Sequence, residues 1–170
     1  DTYDQRRAAK DPVQSIVIPK KEDKASIKTK AKLAKVYLVK SGDQIHSIIL
    51  PVHGYGLWST MYGFLAVEAD GQTVQSINFY DQAETPGLGG EVVNPNWRAL
   101  WKGKKIYSQA GEPVLGLIKG TVDPSKPGAD SKVDGLAGAT LTSVGVTNLI
   151  RYWMSNDGFA PYIDKVRTKG

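Results

Sequence analysis

The chain has 170 residues and a formal net charge of +5, and its length is sufficient for one domain with a sizeable hydrophobic core. It contains no cysteine, which excludes disulfides, iron–sulfur clusters and thiol catalysis. It has neither a signal-peptide core nor an apolar run near the roughly 18–20 residues of a membrane-spanning helix, so we expect the chain as given to be soluble.

The first 34 residues are the most basic part of the sequence. Lysine is frequent between residues 20 and 35, and Pro12 and Pro19 interrupt any helix before it. Such a segment fits nucleic-acid binding, attraction to an anionic membrane surface, or a solvated lead-in. We favour a solvated, partly mobile lead-in, because the lysines lack the interleaved aromatic residues of single-strand binders. We therefore predict a basic lead-in at 1–34 and one domain at 35–170.

The middle of the chain has the alternation and composition of β-strands. Ser41-Gly42-Asp43 predicts a hairpin turn, and residues 53–56, which include His53, are predicted to form a loop. We expect a single α+β domain, with a mainly antiparallel sheet packed with a few helices. The predicted strands are 36–39, 45–50, 58–68, 73–80 and 114–122.

Residues 94–102 are predicted to form a short helix. Pro95 suits its first position, which needs no N–H donor. Trp97, Leu100 and Trp101 follow at spacings i, i+3 and i+4, and we assign this shared face to the core. A break at 157–161 is followed by a short amphipathic tail.

Residues 134–143 are the most informative stretch. Small residues precede three hydroxyl side chains, Thr140, Thr142 and Ser143, and either of the last two is a suitable helix N-cap. A glycine-rich loop before a helix exposes unpaired N–H groups near the positive end of the helix dipole, which favours phosphate. The pattern equally fits a capped helix that follows a tight loop. The apolar face of the predicted helix comprises Val146, Leu149, Ile150 and Trp153.

A second informative stretch is the loop at 84–91, which contains three glycines and a proline. It could face a ligand, with its backbone close to a flat ring and Leu88 over the face of that ring. Composition alone favours an ordinary connection into the next helix.

Other chemical sites lack support in the sequence. The two histidines, His46 and His53, belong to no cluster with metal-ligand spacing. No Gly-x-Ser-x-Gly hydrolase motif and no six-position Rossmann glycine pattern are present. We therefore predict no metal, no catalytic residue and no NADH site in this chain.

Two motifs resemble signatures of the FMN-binding domain family. Asp134-Gly-Leu-Ala-Gly-Ala-Thr140 is similar to the flavinylation motif Asp-x-x-(Ser/Thr)-Gly-Ala-Thr, with Ala137 in place of the usual Ser or Thr. Glu84-Thr-Pro-Gly-Leu-Gly89 resembles the second signature, in the same order along the chain. With segments 54–59 and 95–105, the resemblance extends over most of the chain and includes the C subunits of sodium-translocating NADH:quinone reductases.

The resemblance implies that a flavin transferase joins FMN, through its phosphate, to the hydroxyl of Thr140. It also implies an electron carrier with no substrate turnover of its own, within a membrane NADH:quinone reductase that pumps sodium. Such a domain lies on the periplasmic side of a bacterial inner membrane, beside other subunits, and an N-terminal helix outside this chain holds it there. The other implied flavin-site residues are Tyr55, Trp58, Glu84, Thr85, Gly87, Leu88, Gly138, Ala139, Leu141, Thr142 and Ser143.

Three alternatives remain at this point. One is the G subunit of the related ion-pumping electron-transport complex, which shares both motifs. Another is a flavin-free structural or interaction module of such a complex. The last, a basic nucleic-acid-binding domain, would show affinity that falls steeply with salt, and we predict no nucleic-acid partner.

Overall fold

The computed structural model describes residues 2–169, except for the side chains of Thr168 and Lys169. Besides the α-helices and strands, two short 3₁₀ helices lie at Gly89–Val93 and Ala129–Ser131. The elements are α1 (Gln5–Ala8), β1 (Ser15–Val17), β2 (Thr29–Ala31), β3 (Tyr37–Ser41), β4 (Gln44–Tyr55), β5 (Thr60–Glu68), β6 (Val74–Asp81), α2 (Pro95–Ala99), β7 (Gly116–Leu117), β8 (Lys132–Val133), α3 (Thr140–Trp153) and α4 (Ala160–Lys169).

The main sheet is a four-stranded antiparallel meander in the order β3-β4-β5-β6. The predicted hairpin is confirmed, since β3 pairs with β4 and the turn residue Gly42 has a φ of 62°. Alternate side chains of β4 point to one face, where Leu50 is paired with Leu65 of β5. The α+β class with a mainly antiparallel sheet is therefore confirmed.

Helix α3 covers the inner face of this sheet. Its predicted apolar face is confirmed, because Val146, Leu149 and Ile150 are completely buried. Burial of each such side chain contributes about 1.5–3 kcal/mol. Gly54 of β4 permits the close approach, since a Cβ atom added there would lie 2.5 Å from Leu149 Cβ.

Two predicted segments differ from the structure. Strand β4 continues through His53 to Tyr55, where it pairs with Thr60 of β5, so the predicted loop at 53–56 is wrong. Pairing with a long neighbouring strand outweighs the weak local β-propensity of His and Gly.

The strand predicted at 114–122 is reduced to Gly116–Leu117, parallel to β8. The extended chain is interrupted at Gly120, which has a φ of 82°. On the other side of the strand, the N–H of Leu117 donates to the Thr147 hydroxyl of α3 at 2.9 Å.

Helix α2 is shorter than predicted. The Asn94 side chain caps it, and Pro95 occupies the first turn as expected. The helix ends with i to i−3 hydrogen bonds, among them Leu100 N–H to Trp97 C=O. This tighter winding turns the Leu100 side chain away from the core, and Leu100 is 39% exposed instead of buried as predicted. Trp97 and Trp101 are buried, as predicted.

The basic lead-in is exposed to solvent along most of its described length, as expected, but it also packs against the domain at several points. The N–H of Tyr55 donates to the carbonyl of Ala25 at 2.9 Å, and Arg6 forms an ion pair with Asp81 at 2.9 Å. The boundary at residue 34 stays a prediction. Apolar side chains of the lead-in enter the core, namely those of Ala8, Ile18 and Ala25.

None of the helices between residues 2 and 169 combines the length and the apolar character that crossing a lipid bilayer requires.

Candidate functional site

Glu84 lies at the point where the segments predicted for the flavin site meet. Its side chain is buried and accepts five hydrogen bonds. Oε1 accepts from the N–H of Leu57 and from the hydroxyl of Thr142, both at 2.7 Å. Oε2 accepts from the N–H of Trp58 at 3.0 Å, and from the N–H and hydroxyl of Ser59 at 2.9 and 2.8 Å. One carboxylate therefore joins the β4–β5 turn to α3.

The hydrogen bonds keep this carboxylate ionised. Burial by itself would raise the pKa of Glu84, because it removes water from the charge. The donors from Leu57, Thr142, Ser59 and Trp58 outweigh burial and lower the pKa below its usual value. The buried Glu84 carboxylate is thus negatively charged at neutral pH.

Glycines allow these segments to approach each other closely. A Cβ atom added at Gly56 would lie 2.5 Å from Glu84 Oε1, and one at Gly89 would overlap the Thr142 side chain. In α3, a Cβ atom added at Gly145 would lie 2.5 Å from the carbonyl oxygen of Tyr55. The two loops can therefore lie against the first turns of α3 only because these side chains are missing.

The three hydroxyls of the threonine motif have different surroundings. Thr142 is buried and donates to Glu84. The Ser143 hydroxyl accepts from the N–H of Leu136 at 3.0 Å and donates to the carbonyl of Ala139 at 2.9 Å. Thr140 is exposed, and within residues 2–169 its hydroxyl has no hydrogen-bond partner. Thr140 is the hydroxyl of the motif that is available for modification.

Helix α3 begins earlier in the sequence than expected. The helix starts at Thr140, and its N-cap is Ala139, which provides no side-chain acceptor. The prediction that Thr142 or Ser143 is the N-cap is wrong, because both hydroxyls are engaged inside the fold. The first N–H groups of α3 therefore lack a side-chain cap and can receive an anion at the positive end of the helix dipole.

Exposed apolar side chains belong to the segments that meet around Thr140. Leu88 of the glycine-rich loop approaches Gly138 of the motif, since a Cβ atom added at Gly138 would lie 3.1 Å from Leu88 Cδ2. Exposed apolar groups next to unpaired donors suit a ligand with a flat ring and an anionic tail. These exposed side chains include Trp58 at 65%, Leu141 at 59%, Val144 at 48% and Leu88 at 42%.

Other predicted residues have more indirect positions. Tyr55 is exposed at the end of β4 and contacts α3 through its carbonyl group. Thr85 has an exposed side chain, and its carbonyl accepts from the N–H groups of Leu88 and Gly90. Gly87 has a φ of 78° and open space around it. Glycine is therefore needed there for the left-handed backbone conformation of the turn and not for a close contact.

Two residues were not recognised from the sequence. Ser59 donates to Glu84 and also accepts from the N–H of Ala83 at 2.9 Å. Asp134, at the start of the motif, accepts from the N–H of Val122 at 2.8 Å and, through its carbonyl, from Trp97 Nε1 at 3.0 Å. Both positions lie in motifs already quoted, but their roles depend on partners that are distant in sequence.

Comparison with known proteins agrees with this geometry. The FMN-binding domain family matches residues 56–155. The chain is 53% identical over 169 residues to the C subunit of the Na(+)-translocating NADH-quinone reductase of Vibrio vulnificus, covering 99% of this chain and 65% of that protein. It is 52% identical over 165 residues to the corresponding protein of Pseudomonas aeruginosa, covering 97% and 63%. The chain thus spans less than two-thirds of the length of these relatives.

A solved structure shows the same fold. The crystal structure of Shewanella oneidensis NqrC superimposes with a TM-score of 0.90 and 37% sequence identity, covering 98% of this chain and 75% of that one. The match extends over the sheet, the two glycine-rich segments and α3 alike. The chain belongs to the FMN-binding domain family, in the group formed by the C subunits of the sodium-translocating NADH-quinone reductases.

Proposed function

We propose that this protein is an electron carrier with FMN joined to Thr140 by a phosphoester. The observation that carries the proposal is the contrast among three hydroxyls. Thr142 and Ser143 are committed to structural hydrogen bonds, whereas Thr140 is exposed and uncommitted at a helix N-terminus that lacks a side-chain cap. A phosphate attached there would lie beside the unpaired N–H groups of α3.

The residues around Thr140 fit the rest of the group. Leu88, Trp58 and Leu141 offer apolar contact to a flat ring system. Glu84 does not contact the flavin in this proposal; it positions Thr142 and the β4–β5 turn beneath it. The flavin supplies the reversible redox chemistry when bound, and the protein supplies attachment, orientation and local charge.

The named relatives favour a carrier that works within a larger enzyme. We propose that the chain is part of a sodium-translocating NADH-quinone reductase and passes electrons between neighbouring subunits, on the periplasmic side of a bacterial inner membrane. A flavin transferase is required for its maturation, and an N-terminal helix outside this chain holds the domain at the membrane. The two relatives from Vibrio vulnificus and Pseudomonas aeruginosa are both C subunits, which favours this assignment over the G subunit of the related complex.

The test is the intact mass of the protein under denaturing conditions, after production with and without a flavin transferase. We expect a transferase-dependent gain equal to one FMN less one water. Thr140→Ala should lose this gain and keep the fold, because the Thr140 hydroxyl forms no hydrogen bond within residues 2–169. Thr85→Ala is the matched control, since it removes another exposed hydroxyl of the same site and should keep the gain.

Two results would contradict the proposal. One is an unmodified mass with the transferase present, and the other is a gain that persists in Thr140→Ala. In the first case Ala137→Ser is informative, because Ala137 is exposed and a serine side chain has space there. Recovery of the mass gain by Ala137→Ser would locate the failure in transferase recognition rather than in the site.

A further inference from the structure

The protein has a cavity that shares one residue, Tyr55, with those predicted for the flavin site and is otherwise lined by residues outside that site. It has a volume of about 800 Å³ and lies between the N-terminal segment and the face of the sheet that carries Pro51, Tyr62 and Phe64. Segments 3–10 and 26–35 form its other wall. Small-molecule sites in proteins commonly measure about 300–1,000 Å³, so this cavity is large enough for a ligand.

The floor of the cavity is a continuous set of rings. His53 stacks on Tyr62 at 5.2 Å between centroids, and Phe64 stacks on Tyr80 at 5.3 Å. Tyr62 and Tyr80 connect the two pairs at 6.5 Å. Arg6 already lies 3.5 Å above the centre of the Tyr62 ring. Tyr80 is 50% exposed, so this floor presents an accessible ring to a flat partner.

The rim of the cavity carries excess positive charge. Among the described residues that line it, the acidic one is Asp4, which accepts from the N–H groups of Arg6 and Arg7 and so caps α1. Lys10 and Lys28 form no ion pair within residues 2–169. Burial lowers the pKa of the neighbouring His53 to about 4, so that ring is neutral at pH 7. The basic residues lining the cavity are Arg6, Lys10, Lys28 and Lys35.

The backbone is strained at this rim. Ser26 and Lys28 have φ values of 54° and 65°, and they are the non-glycine residues with positive φ in the described part of the chain. Both line the cavity. The carboxylate of Asp23 stabilises this conformation by accepting from the N–H groups of Ile27 and Lys28. Such strain is concentrated at functional sites, and here it places an unpaired lysine at the mouth of an aromatic cavity.

We propose that the cavity binds a small aromatic anion, with its ring on the exposed Tyr80 and its anionic group at Lys10 and Lys28. A flat apolar partner alone would leave these lysines without a role, and a simple inorganic anion would leave the aromatic floor unused. The proposal is independent of the flavin at Thr140, which lies at the N-terminus of α3.

Two fluorescent probes that share one ring system test the proposal. 1-Anilinonaphthalene-8-sulfonate carries a negative charge, and N-phenyl-1-naphthylamine is its neutral counterpart. We expect the sulfonate to bind one site about five- to tenfold more tightly than the neutral probe at low salt. The Lys10→Gln, Lys28→Gln double variant should remove this advantage and leave the affinity for the neutral probe unchanged.

Three further variants control the test. Lys126→Gln removes an exposed lysine that does not line the cavity and should leave both affinities unchanged. Tyr80→Thr should weaken both probes about equally. Trp58→Ala removes the most exposed apolar side chain of the flavin site and should change neither.

The titrations use the 170-residue chain with and without flavin at Thr140, and thermal unfolding confirms that each variant is folded. Equal affinities for the two probes would overturn the proposal. So would loss of binding in Trp58→Ala or after flavin attachment, which would locate the probes at the flavin site. If Tyr80→Thr does not fold, the test rests on the two probe affinities of the Lys10→Gln, Lys28→Gln double variant.

Discussion

The hydroxyl of Thr142 donates a 2.7 Å hydrogen bond to Glu84 Oε1, across 58 residues of sequence and inside the core. This bond joins the first turn of α3 to the loop that follows β6. Because Glu84 also accepts three backbone N–H groups from the β4–β5 turn, the three segments of the site share one anchoring carboxylate. Their relative positions should therefore depend on this residue more than on any contact at the surface.

Thr142→Val should lower the free energy of unfolding by about 1.5–3 kcal/mol, because it removes a buried hydrogen bond to a charged group. Glu84→Gln should cost about 2–4 kcal/mol, since an amide NH₂ would then face backbone donors. Urea unfolding of both single variants and of the double variant measures the coupling between them. Glu91→Gln is the control, as the Glu91 side chain accepts from Asn94 and not from the site loops. Additive effects of the two substitutions would contradict the anchoring role.

Leu88→Ala tests the apolar contact proposed for the flavin. The side chain is 42% exposed and lies beside Gly138, so its removal should cost little stability. In flavin-loaded protein, we expect a shifted visible absorption spectrum and a changed midpoint potential, because one face of the ring loses its apolar cover. Leu100→Ala, a similarly exposed leucine outside the site, should change neither quantity. An unaltered spectrum and potential would remove Leu88 from the site.

Gly145→Ala should destabilise the protein although it lies within a helix. At a typical helix position, glycine to alanine stabilises by about 0.5–1 kcal/mol. Here the added Cβ would lie 2.5 Å from the carbonyl oxygen of Tyr55 and 2.9 Å from Gly56 Cα. We expect a loss of about 1–3 kcal/mol, as for other overpacked cores. Val144→Ala, on the exposed side of the same helix, should be nearly neutral, and a stabilised Gly145→Ala would show that the loop can move away.

Stability should fall at acidic pH because of His53. Burial, aided by Arg6, lowers the pKa of His53 from 6.5 to about 4 in the folded protein. Between these values the unfolded chain binds more protons, so the contribution of His53 is complete above pH 6.5 and is lost as the pH falls to about 4. The loss amounts to about 3 kcal/mol at most.

Urea titrations at several pH values measure this loss. His53→Phe should flatten the dependence of stability on pH in that range while keeping the stacking on Tyr62 and Trp153. His46→Gln, at an exposed position on the same strand, should retain the dependence. An unchanged slope in His53→Phe would assign the acid sensitivity to other groups. The lowered pKa of Glu84 adds a further loss below its ordinary value of 4.5.

Local features of the sequence predicted much of the fold. The hairpin around Gly42 follows from its turn residues, and the buried face of α3 follows from the spacing of Val146, Leu149 and Ile150. These predictions succeeded because a turn or a helical face depends on residues a few positions apart. The helix ends were less predictable. Thr142 and Ser143 are good N-caps by type, yet tertiary hydrogen bonds occupy both hydroxyls.

The sequence alone therefore determined the motifs, the antiparallel sheet and Thr140 as the candidate position for the flavin. Only the tertiary structure decided that Thr140 is the uncommitted hydroxyl, that Glu84 anchors the site, and that the basic lead-in closes an aromatic cavity. The physical reason is that a buried carboxylate and a packed segment take their partners from residues distant in the chain. Nothing in a local pattern specifies those partners until the sheet and α3 bring them together.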